Sequence, residues 1–375
     1  MKRQLRHAWS IAWRAGITAL LMAWAFHAIF HDQCRILLDA QGIELDAMPR
    51  LDRWFAVWRL GPAELGRTLI GVQSKWLVAS IGLWGLTIVV GAWRWLLILR
   101  SQGLDPGFRR TLEISLVAHF FNSFLLGSAG GDVLKSYYAA RVTHHRKTEA
   151  VTTVLLDRVL GLFTMLGFAV VLILPNLSLI LSHRKTQWLA VVILGMFGAA
   201  GMVLWLSLRG GVSGVFPKAR QLLARMPKGE LLERGIEAGR TLGRRPSLVF
   251  KTVLGSVLLT CICVLQLLTL VWGYGLEVPL APMLFVVPSV ICISALPLTP
   301  NGLGVRDNLY MYLLSLPQIG ISAGTAVAIS LVAYACSLVW SALGGILYLL
   351  IRRESDLVEA MAEERADAAA REESS

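Results

Sequence analysis

Residues 150–174 read AVTTVLLDRVLGLFTMLGFAVVLIL, closed by Pro175. In α-helical rise this run covers roughly 37 Å, more than the ~30 Å hydrocarbon core of a bilayer. Only Asp157 and Arg158 carry charge within it. A charge near the bilayer centre costs roughly 2.5–3.5 kcal/mol on insertion scales, and less nearer the interface. Such residues usually face the protein interior, paired or functional. The run therefore reads as a transmembrane helix with a polar feature about two turns from its start.

Working outward, similar runs occur at about 9–30, 76–99, 187–208, 248–275 and 322–351. The composition agrees. Of 375 residues, 55% are hydrophobic and only 16% charged, against about 25% charged in soluble domains; mean hydropathy is +0.62. The expected fold class is all-α, a polytopic integral membrane helix bundle with one transmembrane domain over 1–353. The net charge of +12 does not imply nucleic acid, because Lys and Arg collect in cytoplasmic loops and beside anionic headgroups. Cys34, Cys261, Cys263, Cys292 and Cys336 form no C-x-x-C and read as small buried hydrophobes. The basic N-terminus (Lys2, Arg3, Arg6) leads into an uncleaved first span, since Arg14 interrupts the run and no clear cleavage site follows.

The basic segments orient the chain. Arg100, Arg109, Arg110, the 132–147 segment, the cation-rich 209–247 segment and Arg352-Arg353 are expected to be cytoplasmic, as are both termini, in a bacterial-type inner membrane. The stretch 111–126 must then enter and leave by that side, and 282–317 must do the same from the other. The expectation is about six full spans plus two re-entrant helical hairpins entering from opposite faces. Broken helices at matching places in two halves point to a transporter site near mid-membrane. Non-helical backbone at that depth needs protein or a wet cavity to satisfy it. Segment 31–75 is periplasmic on this scheme. Its Leu51, Trp54, Phe55 and Trp58 recur at helical spacing, so it lies on the membrane surface or packs as a loop helix. Segment 209–247 reads as a basic amphipathic helix pair on an anionic leaflet. The Glu/Ala-rich tail 354–375 reads as a frayed helix or a disordered segment.

The two hairpin tips are alike in kind. One carries Gly130, Gly131, Asp132 and Lys135; the other Gly302, Gly304, Arg306 and Asp307. Glycine admits a ligand close to backbone N–H groups, and a helix N-terminus favours phosphate. A glycine turn with an Asp cap gives the same pattern without a ligand. Arg158 is a candidate partner for Asp132 or Asp307. Asn122 and His119 sit in the first hairpin, as interhelical hydrogen bonds or as cavity-lining groups. Arg94, between Trp93 and Trp95, is expected to snorkel to the inner headgroups. His27 and His31 read as interfacial polar groups without a third metal ligand, and His144-His145 as solvated. No Walker A, G-x-S-x-G or H-E-x-x-H motif occurs. No metal or cofactor is expected.

Three motifs carry a resemblance over about 10–350. They are Phe121-Asn122 through Gly130-Gly131-Asp132-Val133-Leu134-Lys135 to Tyr138; Glu149 through Asp157-Arg158; and Pro297-x-x-Pro300-Asn301-Gly302-Leu303-Gly304-Val305-Arg306-Asp307. The chain resembles the transmembrane lysylphosphatidylglycerol-synthase-type, or flippase-like domain, family. Members typically show Pro-x-x-Pro-Gly-Gly-x-Gly-x-Arg-Glu at the third motif. Here Asn301 and Asp307 replace a Gly and the Glu, and Leu126 stands where Pro is common. The resemblance implies a lipid-translocating or lipid-binding membrane domain without the aminoacyl-transfer domain of the synthase relatives.

The functional expectation is a flippase or scramblase-like protein for an anionic phospholipid or polyprenyl-phosphate-linked lipid. The headgroup-binding candidates are Asn122, Gly130, Gly131, Asp132, Lys135, Arg141, Asp157, Arg158, Pro297, Pro300, Gly302, Gly304, Arg306 and Asp307. Lys135, Arg141, Arg158 and Arg306 would contact phosphate. Asp132, Asp157 and Asp307 would fix those cations or take up protons. This reading expects Arg158, Lys135 and Arg306 to share one polar chamber. The alternatives are a membrane-embedded headgroup transferase, or an accessory subunit docked to a lipid- or glycan-synthesis enzyme.

Overall fold

The computed structural model describes residues 27, 30, 31, 34, 35, 37, 38, 42–124, 130–142, 147–208, 243, 245–296, 302 and 304–372. Expectations for the span 9–30 fall largely outside them. So do those for most of the basic segment 209–247, and for His144, His145, Pro297, Pro300 and Asn301.

Helices in chain order are α1 (Arg50–Gly71), α2 (Ser74–Ser101), α3 (Phe108–Phe124), α4 (Gly130–Val142), α5 (Lys147–Val171), α6 (Leu177–Leu181), α7 (Arg184–Leu208), α8 (Pro246–Gly273), α9 (Leu280–Ser294), α10 (Val305–Leu314) and α11 (Ala323–Glu372). No strand occurs among the described residues. Ser74–Ser101, Ala150–Val171, Arg184–Met202, Pro246–Gly273 and Gly324–Leu350 are long and apolar enough to cross a bilayer. They coincide with five of the six expected spans. Their outward faces expose Val78, Val171, Trp188, Phe250 and Leu350, each at least 58% accessible. Soluble monomers rarely expose such a continuous apolar surface. The protein is an all-α, multi-pass membrane helix bundle. The tail continues α11 as helix to Glu372.

The order span, broken hairpin, span occurs twice: α2, α3–α4, α5 and then α8, α9–α10, α11. Both ends of the leading span and the start of the hairpin lie 172 residues later in the second unit than in the first (246 against 74, 273 against 101, 280 against 108). Asn122 and Ser294, and Gly130 and Gly302, stand in the same relation. The leading spans α2 and α8 pack antiparallel along their whole length. The Gln73 N–H donates to the Gly273 carbonyl at one end. Gln266 Nε2 donates to Ser80 Oγ at 2.7 Å, and Arg94 Nη1 to Ser256 Oγ at 3.0 Å nearer the other. The two units are therefore inverted. Each hairpin leans on the closing span of the other unit, α3 on α11 and α9 on α5, while α4 and α10 pack on the closing span of their own.

Both hairpins turn back inside the bundle. At roughly 1.5 Å per residue, α3 and α4 are about 25 and 20 Å long, and α9 and α10 about 22 and 15 Å, too short for a full crossing. The ends of α9–α10 meet the same connector. Asn176 donates to the Ala281 carbonyl and Gln318 to Ser182 Oγ. The ends of α3–α4 meet at the opposite end, where Leu99, Leu104, Ile114, Ala139 and Ala150 form one apolar cluster. That second end carries Arg100, Arg109, Arg110 and Arg245 and is called the basic end below.

In α1, Leu51, Trp54 and Phe55 are 73%, 50% and 62% exposed, so this apolar face is not packed against the described residues. Trp58 instead stacks on His27 and meets Phe30 edge-on. The five cysteines are unpaired.

Candidate functional site

The first hairpin builds its tip by close approach. A Cβ on Gly131 would collide with the Ala118 carbonyl and lie 2.5 Å from Asn122 Cγ, so only glycine fits. That closeness lets Asn122 Oδ1 accept the Gly131 N–H at 2.8 Å. Asn122 thus satisfies one of the backbone donors a helix N-terminus leaves open.

Behind this tip, α4 faces α5 and α2. Asp157 Oδ1 accepts Arg94 Nε at 2.9 Å, and Oδ2 accepts Lys135 Nζ at 3.4 Å. These three side chains are 10–13% exposed. Lys135 Nζ also lies 4.1 Å from the centre of the Trp95 ring, whose indole N–H donates to Thr153 Oγ1. Arg158 pairs with Asp132, and these are more open, at 41% and 25%. Arg94 lies seven residues before the end of α2, and Asp157 seven after Ala150. Both therefore sit roughly 10 Å in from the basic end. Arg94 does not snorkel outward as expected. A partner carboxylate at its own depth is closer than the interface, and burying that carboxylate unpaired would cost several kcal/mol.

A cavity of about 250 Å³ opens here. Asn122, Asp132, Lys135 and Asp157 line it, together with Thr87, Ser115 and His119. The volume is about that of eight waters. His119 bonds between helices: its Nε2 either accepts from the Trp84 indole nitrogen at 3.4 Å or, when protonated, donates to the Ser337 carbonyl at 3.2 Å.

The second tip is organised differently. Gly302 and Gly304 have φ of +70° and +78°, the left-handed region that side chains disfavour. Asp307, in the first turn of α10, reaches back to accept the Gly304 N–H at 3.0 Å, one half of a capping box. Its other oxygen accepts Arg306 Nη2 at 3.0 Å and Ser330 Oγ at 2.5 Å. The Arg306 guanidinium lies 4.9 Å from the Tyr334 ring centre. Asp307 thus holds a buried, locally neutral cluster with α11.

Among the described residues the two tips do not share a chamber. Gly304 borders a separate cavity of about 610 Å³ between α7 and α10, lined by Lys185, Trp188, Leu189, Val192, Asn308 and Tyr312. The reason is the pairing within each unit. Lys135 and Asp307 occupy the same register, 172 residues apart, and each reaches the closing span of its own half, to Asp157 on α5 or Ser330 on α11. Arg158 and Arg306 line neither cavity. The backbone of Gly130 and Arg141 lies in α4.

Comparison with known proteins bears on this arrangement. Residues 53–345 match the lysylphosphatidylglycerol synthase TM region. The chain belongs to this family. The match takes in every element of the inverted repeat, from the start of α2 into α11. Relatives include a UPF0104 membrane protein of Methanocaldococcus jannaschii, 23% identical over 314 residues, covering 79% of this chain and 91% of the relative. A UPF0104 membrane protein of Methanothermobacter thermautotrophicus is 25% identical over 290 residues, covering 69% and 79%.

The site residues found by sequence are Asn122, Asp132, Lys135 and Asp157, which line one cavity, with Gly131 bonded to Asn122 beside it, and Gly302, Gly304, Arg306 and Asp307, which meet at the other tip. Arg94, Trp95, Ser256, Ser330 and Tyr334 were missed. The available signal for Arg94 was a full charge inside a span, at a depth where Asp157 needed a partner.

Proposed function

We propose that the protein moves lipids with phosphate headgroups across a bacterial-type inner membrane, as a flippase or scramblase, with the basic end cytoplasmic. The candidate cargo is an anionic phospholipid or a polyprenyl-phosphate-linked lipid. The observation that carries this reading is Lys135. Its ammonium lines a cavity beside a carboxylate that sits roughly 10 Å in from the basic end and is held from behind by a second cation.

The charge balance supports an anionic headgroup. Asp157 holds two cations, Arg94 and Lys135, with all three side chains only 10–13% exposed. In a low-dielectric setting an uncompensated charge is expensive, and a phosphate monoanion would neutralise it. The inverted repeat with two broken hairpins is the layout in which transporters place substrate near mid-membrane.

The test is lipid translocation in reconstituted vesicles containing phosphatidylglycerol. Lys135→Ala and Asp157→Asn are expected to slow movement at least tenfold, with folding checked by thermal unfolding. Unchanged rates in both folded variants would refute the site. Appearance of a headgroup-modified lipid would instead support a transferase.

A further inference from the structure

We propose that Arg94 is a positioning residue, holding Asp157 from outside the cavity so that Lys135 can leave for a headgroup phosphate without stranding a buried carboxylate. The inference rests on the lipid-binding reading of the cavity and assigns a role within it.

Arg94 is fixed by three contacts on two helices. Its Nε donates to Asp157 Oδ1 at 2.9 Å and its Nη2 to the Asp157 carbonyl at 3.4 Å, both on α5; its Nη1 donates to Ser256 Oγ at 3.0 Å on α8. The planar guanidinium suits such a fork and keeps its charge in proteins. A second observation points the same way. A Cβ at Gly161 would lie 2.9 Å from both Nη1 and Nη2, so residue 161 leaves the guanidinium its slot one turn beyond Asp157.

Lys135 is held more loosely. Its hydrogen bond to Asp157 Oδ2 measures 3.4 Å, it rests on the face of Trp95, and the carboxylate of Asp132 attracts it from farther off. Lys135 and Asp157 line the cavity, whereas Arg94 does not. A phosphate entering the cavity competes with Oδ2 for the ammonium. When Lys135 swings to it, Asp157 keeps a full ion pair with Arg94, so the exchange leaves no isolated charge. Without Arg94, Asp157 and phosphate would compete for one cation, and binding would weaken.

The experiment titrates purified protein with short-chain phosphatidylglycerol by native mass spectrometry and measures translocation in vesicles. Arg94→Gln is expected to weaken binding at least tenfold, with half-saturation in transport rising by a similar factor and the maximal rate changing less. Arg94→Lys should fall between the two. Adding Asp157→Asn to Arg94→Gln should restore binding to within about threefold of wild type, because the competing carboxylate is then neutral; a purely structural loss would not be rescued. If Arg94→Gln does not fold, Gly161→Ala, which crowds the guanidinium without changing charge, should weaken binding severalfold. Wild-type binding with unchanged affinity in folded Arg94→Gln, or a loss that Asp157→Asn does not reverse, overturns this inference alone. With Gly161→Ala as the stand-in, unchanged affinity does the same. Wild-type protein that neither binds nor moves the lipid overturns the reading of the cavity, and this inference with it.

Discussion

Replacing Asp157 with Asn keeps the shape of the side chain and removes the charge on which two cations depend. Arg94 and Lys135 are 12% and 13% exposed, so water does little to compensate. Breaking a buried pair by removing one partner typically costs about 3–5 kcal/mol. The Trp95 face under Lys135 and the Ser256 hydroxyl on Arg94 retain part of the interaction, which places the expected loss near the lower figure, about 3 kcal/mol. The control is Asp105→Asn. Its partner Arg100, in the last turn of α2, is 48% exposed and Asp105 itself is 56% exposed, and such pairs contribute about 0–1 kcal/mol. Equilibrium unfolding in mixed micelles measures both. Adding Lys135→Met to Asp157→Asn should recover at least about 1 kcal/mol, since one of the stranded cations is gone. Equal losses in Asp157→Asn and Asp105→Asn, or no recovery in the double variant, would refute the account of a buried, mutually dependent charge cluster.

Asn122→Ala should leave the Gly131 N–H without its acceptor and cost about 1–3 kcal/mol in the same unfolding assay. Arg306→Met should cost about 3 kcal/mol, because Asp307 then keeps only Ser330 and the Gly304 N–H as partners at the second tip. In a background with the five native cysteines replaced, Glu277→Cys and Ser315→Cys should react with a membrane-impermeant thiol reagent from the same side, and Asp105→Cys from the other. Labelling of positions 277 and 315 from opposite sides would show that α9–α10 crosses the membrane.

The spans were legible because each is a long run of apolar side chains, and hydrocarbon tolerates little else. Residues 76–99, 150–174 and 248–275 emerged as helices with boundaries within a few residues of those read from hydropathy. The re-entrant hairpins were legible one step further on, from the conflict between basic loops and short apolar stretches. Glycines at 131, 302 and 304 marked the tips, where a close approach or positive φ leaves no room for a side chain.

What the sequence could not settle was which buried charges are neighbours. Asp157, Arg158, Lys135 and Arg306 all stood out as costly in hydrocarbon, and one-dimensional spacing allowed them a single chamber. The antiparallel packing of α2 on α8, with each tip paired to its own closing span, separates them into two clusters. It also brings Arg94, 63 residues from Asp157, into direct contact with that carboxylate. Hydropathy is a property of a segment and can be summed along the chain. Charge pairing acts over a few ångströms across helix faces, so it became readable only once the helices were packed.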